Sequence, residues 1–411
     1  MNLNRTMTIG MTIAMSFSLN SPAFAYDSSI DSSFADAGRL TLRNTWLPKV
    51  VTDGTHTYVV AASAWRASVV VVSLDDQGQP DPNFGSDGTV TLKPRGDFID
   101  QAVAVDQRGR LLIAGQSDRR FVVVRLTRSG NYDGTFSDDG HTRLGPRDSF
   151  PQAIEVDSQG RILVLAADYD SSGSRTRYDT LLYRLLPGGR LDPTFGTSGL
   201  REIGLKGSDV GYAISVDRLD RPVMTGWQRA PSERAWVVRL TAGRGRLDTK
   251  FSGDGLASVS LGPDLWTSGD AIRAHDGVIT VGALSYDPAT DRYAMAAFQL
   301  NANGKLDTSY AEGGKAQFPQ PTGTFIAPMY VDDEGAVIAG GKRRADPDTT
   351  VPLIGALTPS GALDAEIGPT GIAELDIGNR LAEVSSVTVH NSQLLVAIQG
   401  GNSKTLFTRL D

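Results

Sequence analysis

The chain has 411 residues, with 45 Gly and 20 Pro but no Cys, and its 47 acidic against 40 basic residues give a formal charge of −7. The lack of cysteine excludes disulfides, thiolate metal sites and cysteine nucleophiles, and the acidic balance argues against non-specific nucleic-acid binding. Turn formers scattered between apolar runs such as VVVVSL and FVVVRL point to many short strands rather than amphipathic helices.

Residues 1–25 follow the plan of a secretory signal: a short basic segment ending at Arg5, an apolar stretch from about Met7 to Leu19, and Ala23-Phe24-Ala25 before a cleavage point. The apolar stretch is shorter than the ~20 residues that span a bilayer. A mature chain of residues 26–411 is therefore expected to be exported to the periplasm or the exterior, without membrane insertion.

A motif then begins: Asp, an aromatic three residues later and Gly four after that, first as Asp31, Phe34 and Gly38. It returns from Asp81, Asp133, Asp192, Asp248, Asp307 and Asp364, at intervals of 50, 52, 59, 56, 59 and 57 residues, with Tyr310 and Ile367 replacing Phe in the last two copies. Between motifs the order of elements is constant. Gln101–Asp106, a turn at Gln107-Arg108-Gly109, Arg110–Gly115 and Phe121–Leu126 give three strands, and a segment such as Thr89–Leu92 after the motif gives a fourth. Four strands per repeat is the unit of a propeller blade. The expected fold is all-β, a seven-bladed β-propeller of four-stranded blades. Arg39–Leu42 has no three strands before it, and Leu406–Leu410 is a third strand with no fourth after it. The N-terminal strand is expected to complete the last blade and close the ring, and a monomer is expected.

The segments Leu191-Asp192-Pro-Thr-Phe195-Gly196-Thr-Ser-Gly199 and Ala104-Val105-Asp106-Gln-Arg-Gly109-Arg110-Leu111-Leu-Ile-Ala114-Gly115 resemble the signature of the delta-60 repeat β-propeller family, bacterial exported proteins of unknown function. The resemblance covers essentially the whole mature chain. It implies a fold and an export route, and no catalytic residues to carry over. The first and last units depart from the pattern, with Thr52-Asp53-Gly54-Thr55 and His390-Asn391-Ser392 at the turns.

The repeated residues read as structural. The Asp carboxylate suits an Asx-type turn, the aromatic an apolar plug between blades, and the Gly a positive φ at the entry to the fourth strand. Asp157-Ser-Gln-Gly160 and Asp332-Asp-Glu-Gly335 read as bulged hairpin turns.

Function is then expected on the variable loops joining strands two to three, and four to the next one, which share a face. These loops carry Trp65, Arg66, Arg119, Arg120, Arg147, Trp227, Arg229, Trp266, Tyr286, Arg292 and Arg343. Arginine presents a donor fork for carboxylates or phosphates, and the aromatics present stacking faces. Within one loop Asp168, Asp170, Ser172, Thr176 and Asp179 fall at the oxygen positions of a calcium loop, with Gly173 at the sharp turn. Calcium is the one cofactor the sequence suggests. The four histidines lie in different units, without the spacing of a zinc site. Two functions fit these features. One is a non-catalytic binding or scaffold protein whose loop face takes a protein, a glycan or an anionic ligand. The other is a hydrolase or lyase at the channel mouth, metal-assisted or not, using Asp97, Asp148, Asp209 and Asp264.

Overall fold

The computed structural model describes residues 29–63, 68–93, 98–117, 120–145, 149–170, 177–205, 207–229, 233–317, 324–346, 349–368, 370–377, 382–401 and 403–410. They form seven four-stranded antiparallel sheets and no helix. Within each sheet the strands, here a to d, run in order from the axis outward. The a strands are Thr45–Thr52, Phe98–Val105, Phe150–Val156, Ser208–Val216, Trp266–His275, Thr324–Val331 and Ala382–His390 in blades 1 to 7. Each a strand contacts the a strands of both neighbouring blades around the whole ring, including blade 7 against blade 1. The chain is thus a closed seven-bladed propeller.

Closure is made as the repeat pattern predicts. Strand d of blade 7 is Arg39–Arg43, antiparallel to Lys404–Leu410 with Arg39 opposite Thr408 and Arg43 opposite Lys404. Pairing the two ends of the described chain leaves no open seam in a protein that has no disulfide to hold one.

Every motif performs its expected local task. All seven Asp side chains accept the backbone N–H two residues on, at 2.8–3.1 Å. All seven terminal glycines have φ between +67° and +93°, where a side chain would be strained. The seven motif side chains Phe34, Phe84, Phe136, Phe195, Phe251, Tyr310 and Ile367 are each at most 2% exposed, worth about 1.5–3 kcal/mol apiece.

Two further features tie blade to blade. The residue after the aromatic donates its backbone N–H across the seam to the next blade's c–d turn, as in Gly85 to Ser129, Ser137 to Gly188 and Gly196 to Arg244. Beside that turn a glycine lies against the aromatic ring, so a Cβ on Gly245 would meet Phe195 at 2.4 Å. The second feature is an arginine one residue before the end of strand c or at its end. Arg125, Arg184, Arg239 and Arg409 each donate from Nε to the motif carboxylate of their own blade, at 2.8–2.9 Å. Each also lies 4.3–4.9 Å from the centre of that motif's phenyl ring. From there each reaches a carbonyl of the following blade: Pro187, Ala242, Ala302 and Asp76 respectively. One side chain therefore joins an ion pair, a cation–π contact and an inter-blade hydrogen bond. Ser73, Gln299 and Ala356 stand at the corresponding place in blades 1, 5 and 6.

Every a strand also carries a β-bulge. The inserted residue is Gln101, Gln152, Tyr212, Asp270 or Ser385 in five blades, and blades 1 and 6 use Leu47-Pro48 and Ala327-Pro328. A bulge adds local twist and tolerates a proline that a regular ladder would not.

Candidate ligand-binding face

The antiparallel order a–b–c–d puts the a–b turns and the motifs on one face. The b–c hairpins and the d–a connections lie on the other. The motif face is held by charge. Arg110 bridges Asp106 of its turn to Asp133 of its motif, and Arg221 joins Asp217 to Asp248 in the same way. Asp133 is pulled down to about 2: threonine, backbone and Arg125 hydrogen bonds, with the Arg125 charge, outweigh a burial effect that alone would raise it.

On the b–c face, strands extend further than the apolar runs predict. Trp227 and Arg229 belong to Pro222–Arg229, Tyr286 to Val278–Asp287, and Arg343 to Val337–Asp346. Residues expected in loops are therefore ladder residues, because antiparallel pairing satisfies the backbone of polar residues as well as apolar ones. The stretch from Asp168 to Asp179 is likewise a hairpin. Asp168 lies opposite Asp179, Tyr169 opposite Tyr178 and Asp170 opposite Arg177. Ser172 and Thr176 lie outside the described residues. Among the described residues no group of three His or acidic side chains is placed to hold a metal.

Trp65, Arg66, Arg119 and Arg147 also lie outside the described residues. Arg120 and Arg229 are exposed at strand ends, and Arg343 is placed by its backbone opposite Thr324 and Val351. Trp227 is half-buried, packed with Tyr178 against Ala167, Val210 and Tyr212 of blades 3 and 4, which makes it part of a seam. Asp209, expected at the channel mouth, is buried in that seam and accepts the N–H of Thr180 at 3.1 Å. Asp264 is exposed, and Asp97 and Asp148 lie outside the described residues.

Blade 5 brings the expected groups together. Trp266, Tyr286 and Tyr293 occupy one rung across three adjacent strands. Their rings are 5.2 and 4.7 Å apart. Trp266 is 42% exposed, the two tyrosines are half-buried, and Arg292 is exposed beside them. The Tyr286 hydroxyl donates to Asp291 at 2.8 Å, which fixes the middle ring. Because Trp266 starts the inner strand, this aromatic row runs outward from the channel mouth. Trp46, also 42% exposed, starts near the same face in blade 1.

A second polar group went unread in the sequence. Counted back from the a–b turns, Val50, Ala104, Glu155, Ser215, Arg273, Tyr330 and Thr388 hold equivalent places in the seven inner strands. Arg273 of blade 5 is ion-paired with Asp333 of blade 6, and both charges act on Glu155 of blade 3, so these groups converge at the axis. Burial pushes Glu155 up to about 8, partly offset by Arg273. Burial also raises Tyr330, which is hydrogen-bonded to Thr388. Aligning the repeats on the turn would have found this layer, since Glu155 and Arg273 interrupt an otherwise uncharged column.

No family model and no curated protein matches the chain. Solved structures that resemble it include an ulvan lyase representing a new polysaccharide lyase family, 13% identical over 94% of each chain with a TM-score of 0.49. Drosophila plexin A in complex with semaphorin 1b is 10% identical over 92% of this chain and 88% of its own, with a TM-score of 0.42. A protein of unknown function from Bacteroides caccae is 12% identical over 78% of this chain and 99% of its own, with a TM-score of 0.39. Likenesses this distant carry no argument about activity, and the ring stands on its own strand pairing.

Proposed function

We propose that this chain is an exported delta-60 repeat propeller that binds a glycan on its b–c face without catalysis, with the aromatic row of blade 5 as the platform. The observation that carries the reading is the rung Trp266–Tyr286–Tyr293, an exposed indole backed by two half-buried phenol rings, the nearer one tied to Asp291, with Arg292 beside them. The C–H face of a pyranose packs on such rings, while charged neighbours bond its hydroxyls, and aromatics tied in place lose little entropy on binding. Exposed aromatic rungs of this kind cost solubility unless something uses them.

The test is calorimetric titration of the mature chain with cell-envelope oligosaccharides. Trp266→Ala is expected to weaken binding tenfold or more, about 1.4 kcal/mol, with the melting temperature unchanged. Equal affinity in wild type and variant would sink the platform. The titrations are run with and without calcium, the ion to which the sequence spacing from Asp168 to Asp179 points. The rival reading, a hydrolase or lyase, has one observation in its favour. Glu155 holds its proton to about pH 8 near the Asp333–Arg273 pair, as a general acid does. Glu155 is 4% exposed, with little room for a polymer, so binding is the better-supported role. Turnover of any tested glycan that disappears in Glu155→Gln would reverse that preference.

A further inference from the structure

The seam between blades 3 and 4 departs from the other seams in two ways. The residue two places after the motif glycine points under the next blade's c–d turn. Val90 lies beside Gly130 there, and the Thr142 hydroxyl donates to the Gly189 carbonyl at 2.7 Å. In six blades this residue is uncharged: Leu40, Val90, Thr142, Ala257, Ala316 and Ala373. In blade 3 it is Arg201.

The turn facing Arg201 is also one residue longer. Its closing bridge joins Leu240 to Leu247, whereas the equivalent bridges Leu74–Pro80, Leu126–Tyr132, Leu185–Leu191, Leu300–Leu306 and Leu357–Leu363 span one residue fewer. The longer turn carries Arg244 and Arg246. At this seam a groove of about 540 Å³ opens, lined by Thr194, Thr197, Arg201, Glu202, Arg244 and Arg246 among others.

The groove also holds a donor with nothing to donate to. The Nε of Arg201 is shielded from solvent and makes no hydrogen bond, and among the described residues none of the three guanidinium groups has an ion-pair partner. A buried donor left unmade is costly. It is retained in a position that the sister blades fill with apolar or hydroxyl side chains.

We infer that this groove binds a tetrahedral oxyanion, a phosphate or sulfate group. Three arginines against one glutamate leave two positive charges, matching a dianion. The guanidinium fork suits its oxygens, and Thr197 adds an exposed hydroxyl at the same wall, whereas the Thr194 hydroxyl is already donated to Asp192. The groove lies on the motif face, away from the aromatic row, and stands independently of the glycan proposal.

The probe is inorganic phosphate or sulfate, titrated calorimetrically at constant ionic strength made up with chloride, and followed by melting temperature. Wild type is expected to bind with a dissociation constant at or below the millimolar range. Arg201→Leu, which restores the residue found at position 40, is expected to weaken binding at least tenfold. The exposed double variant Arg244→Ala/Arg246→Ala, which leaves the packed seam untouched, should do the same, and Trp266→Ala should leave it unchanged. A sulfated monosaccharide compared with its unsulfated parent separates the sources. Tenfold tighter binding of the ester points to a decorated glycan, and equal binding of ester and free anion points to the free anion. Wild type that gains nothing from either anion beyond what chloride gives, or variants that bind as wild type does, would overturn the assignment.

Discussion

Replacing Arg125 with Met tests how the ring is held. The arginine is 1% exposed. It donates to Asp133 at 2.8 Å and to Thr135 at 3.1 Å, reaches the Pro187 carbonyl of the next blade, and covers Phe136 at 4.6 Å. Methionine keeps most of the volume and the contact with the ring but leaves the Asp133 carboxylate with Arg110 as its remaining cation, at 3.1 Å. Breaking a buried pair from one side costs roughly 3–5 kcal/mol. With an unfolding entropy of about 2.1 cal/mol/K per residue over roughly 380 residues, that corresponds to a fall in melting temperature of about 4–6 °C.

The same variant changes the acid limb of stability. Asp133 sits at about 2 in the folded protein, below the ordinary 3.8. Its contribution is therefore fully present above pH 3.8 and lost as pH falls through 2, amounting to about 2.4 kcal/mol at most. In Arg125→Met the carboxyl moves back up and part of that slope disappears. Melting followed by circular dichroism between pH 2 and 7 reads both effects. Adding Asp133→Asn to Arg125→Met should recover much of the neutral-pH loss, since the buried carboxylate that has lost one of its two cations goes with it. A single variant melting within 1 °C of wild type, or a double variant that loses the sum of the two single losses, would refute the latch.

Gly245→Ala should lower stability by about 1–3 kcal/mol more than Gly253→Ala. Both glycines have positive φ, but only the Cβ at 245 strikes Phe195, and nothing lies within 4 Å of the one at 253; equal melting temperatures would show that the seam yields. Glu155→Gln should leave stability unchanged at pH 4 and raise it at pH 9. A carboxyl held at about 8 against an ordinary 4.5 penalises the fold increasingly as pH rises from 4.5 to 8, by up to about 5 kcal/mol. Destabilisation at pH 9 would mean that Glu155 is an ionised partner of Arg273 instead.

The part of this protein legible in the sequence is what each repeat does within itself. An Asp that caps the N–H two residues on, and a glycine at positive φ, act within one eight-residue segment, so their recurrence from Asp31 to Asp364 announces the blade, and the orphan strands at either end announce the closure. The aromatic row is partly legible, since Trp266 and Tyr286 both fall on the variable-loop face in the sequence, but Tyr293 joins them only through strand pairing. What folding alone decided lies between repeats. The Arg125–Pro187 latch and the ring of Phe195 beneath Gly245 join residues some fifty to sixty positions apart, the convergence of Glu155 with Arg273 and Asp333 spans more than a hundred, and the groove at Arg201 exists because a neighbouring blade's turn is longer. Local turn chemistry repeats and so can be read from one chain. The packing of one blade against the next depends on side chains brought together only when the ring closes.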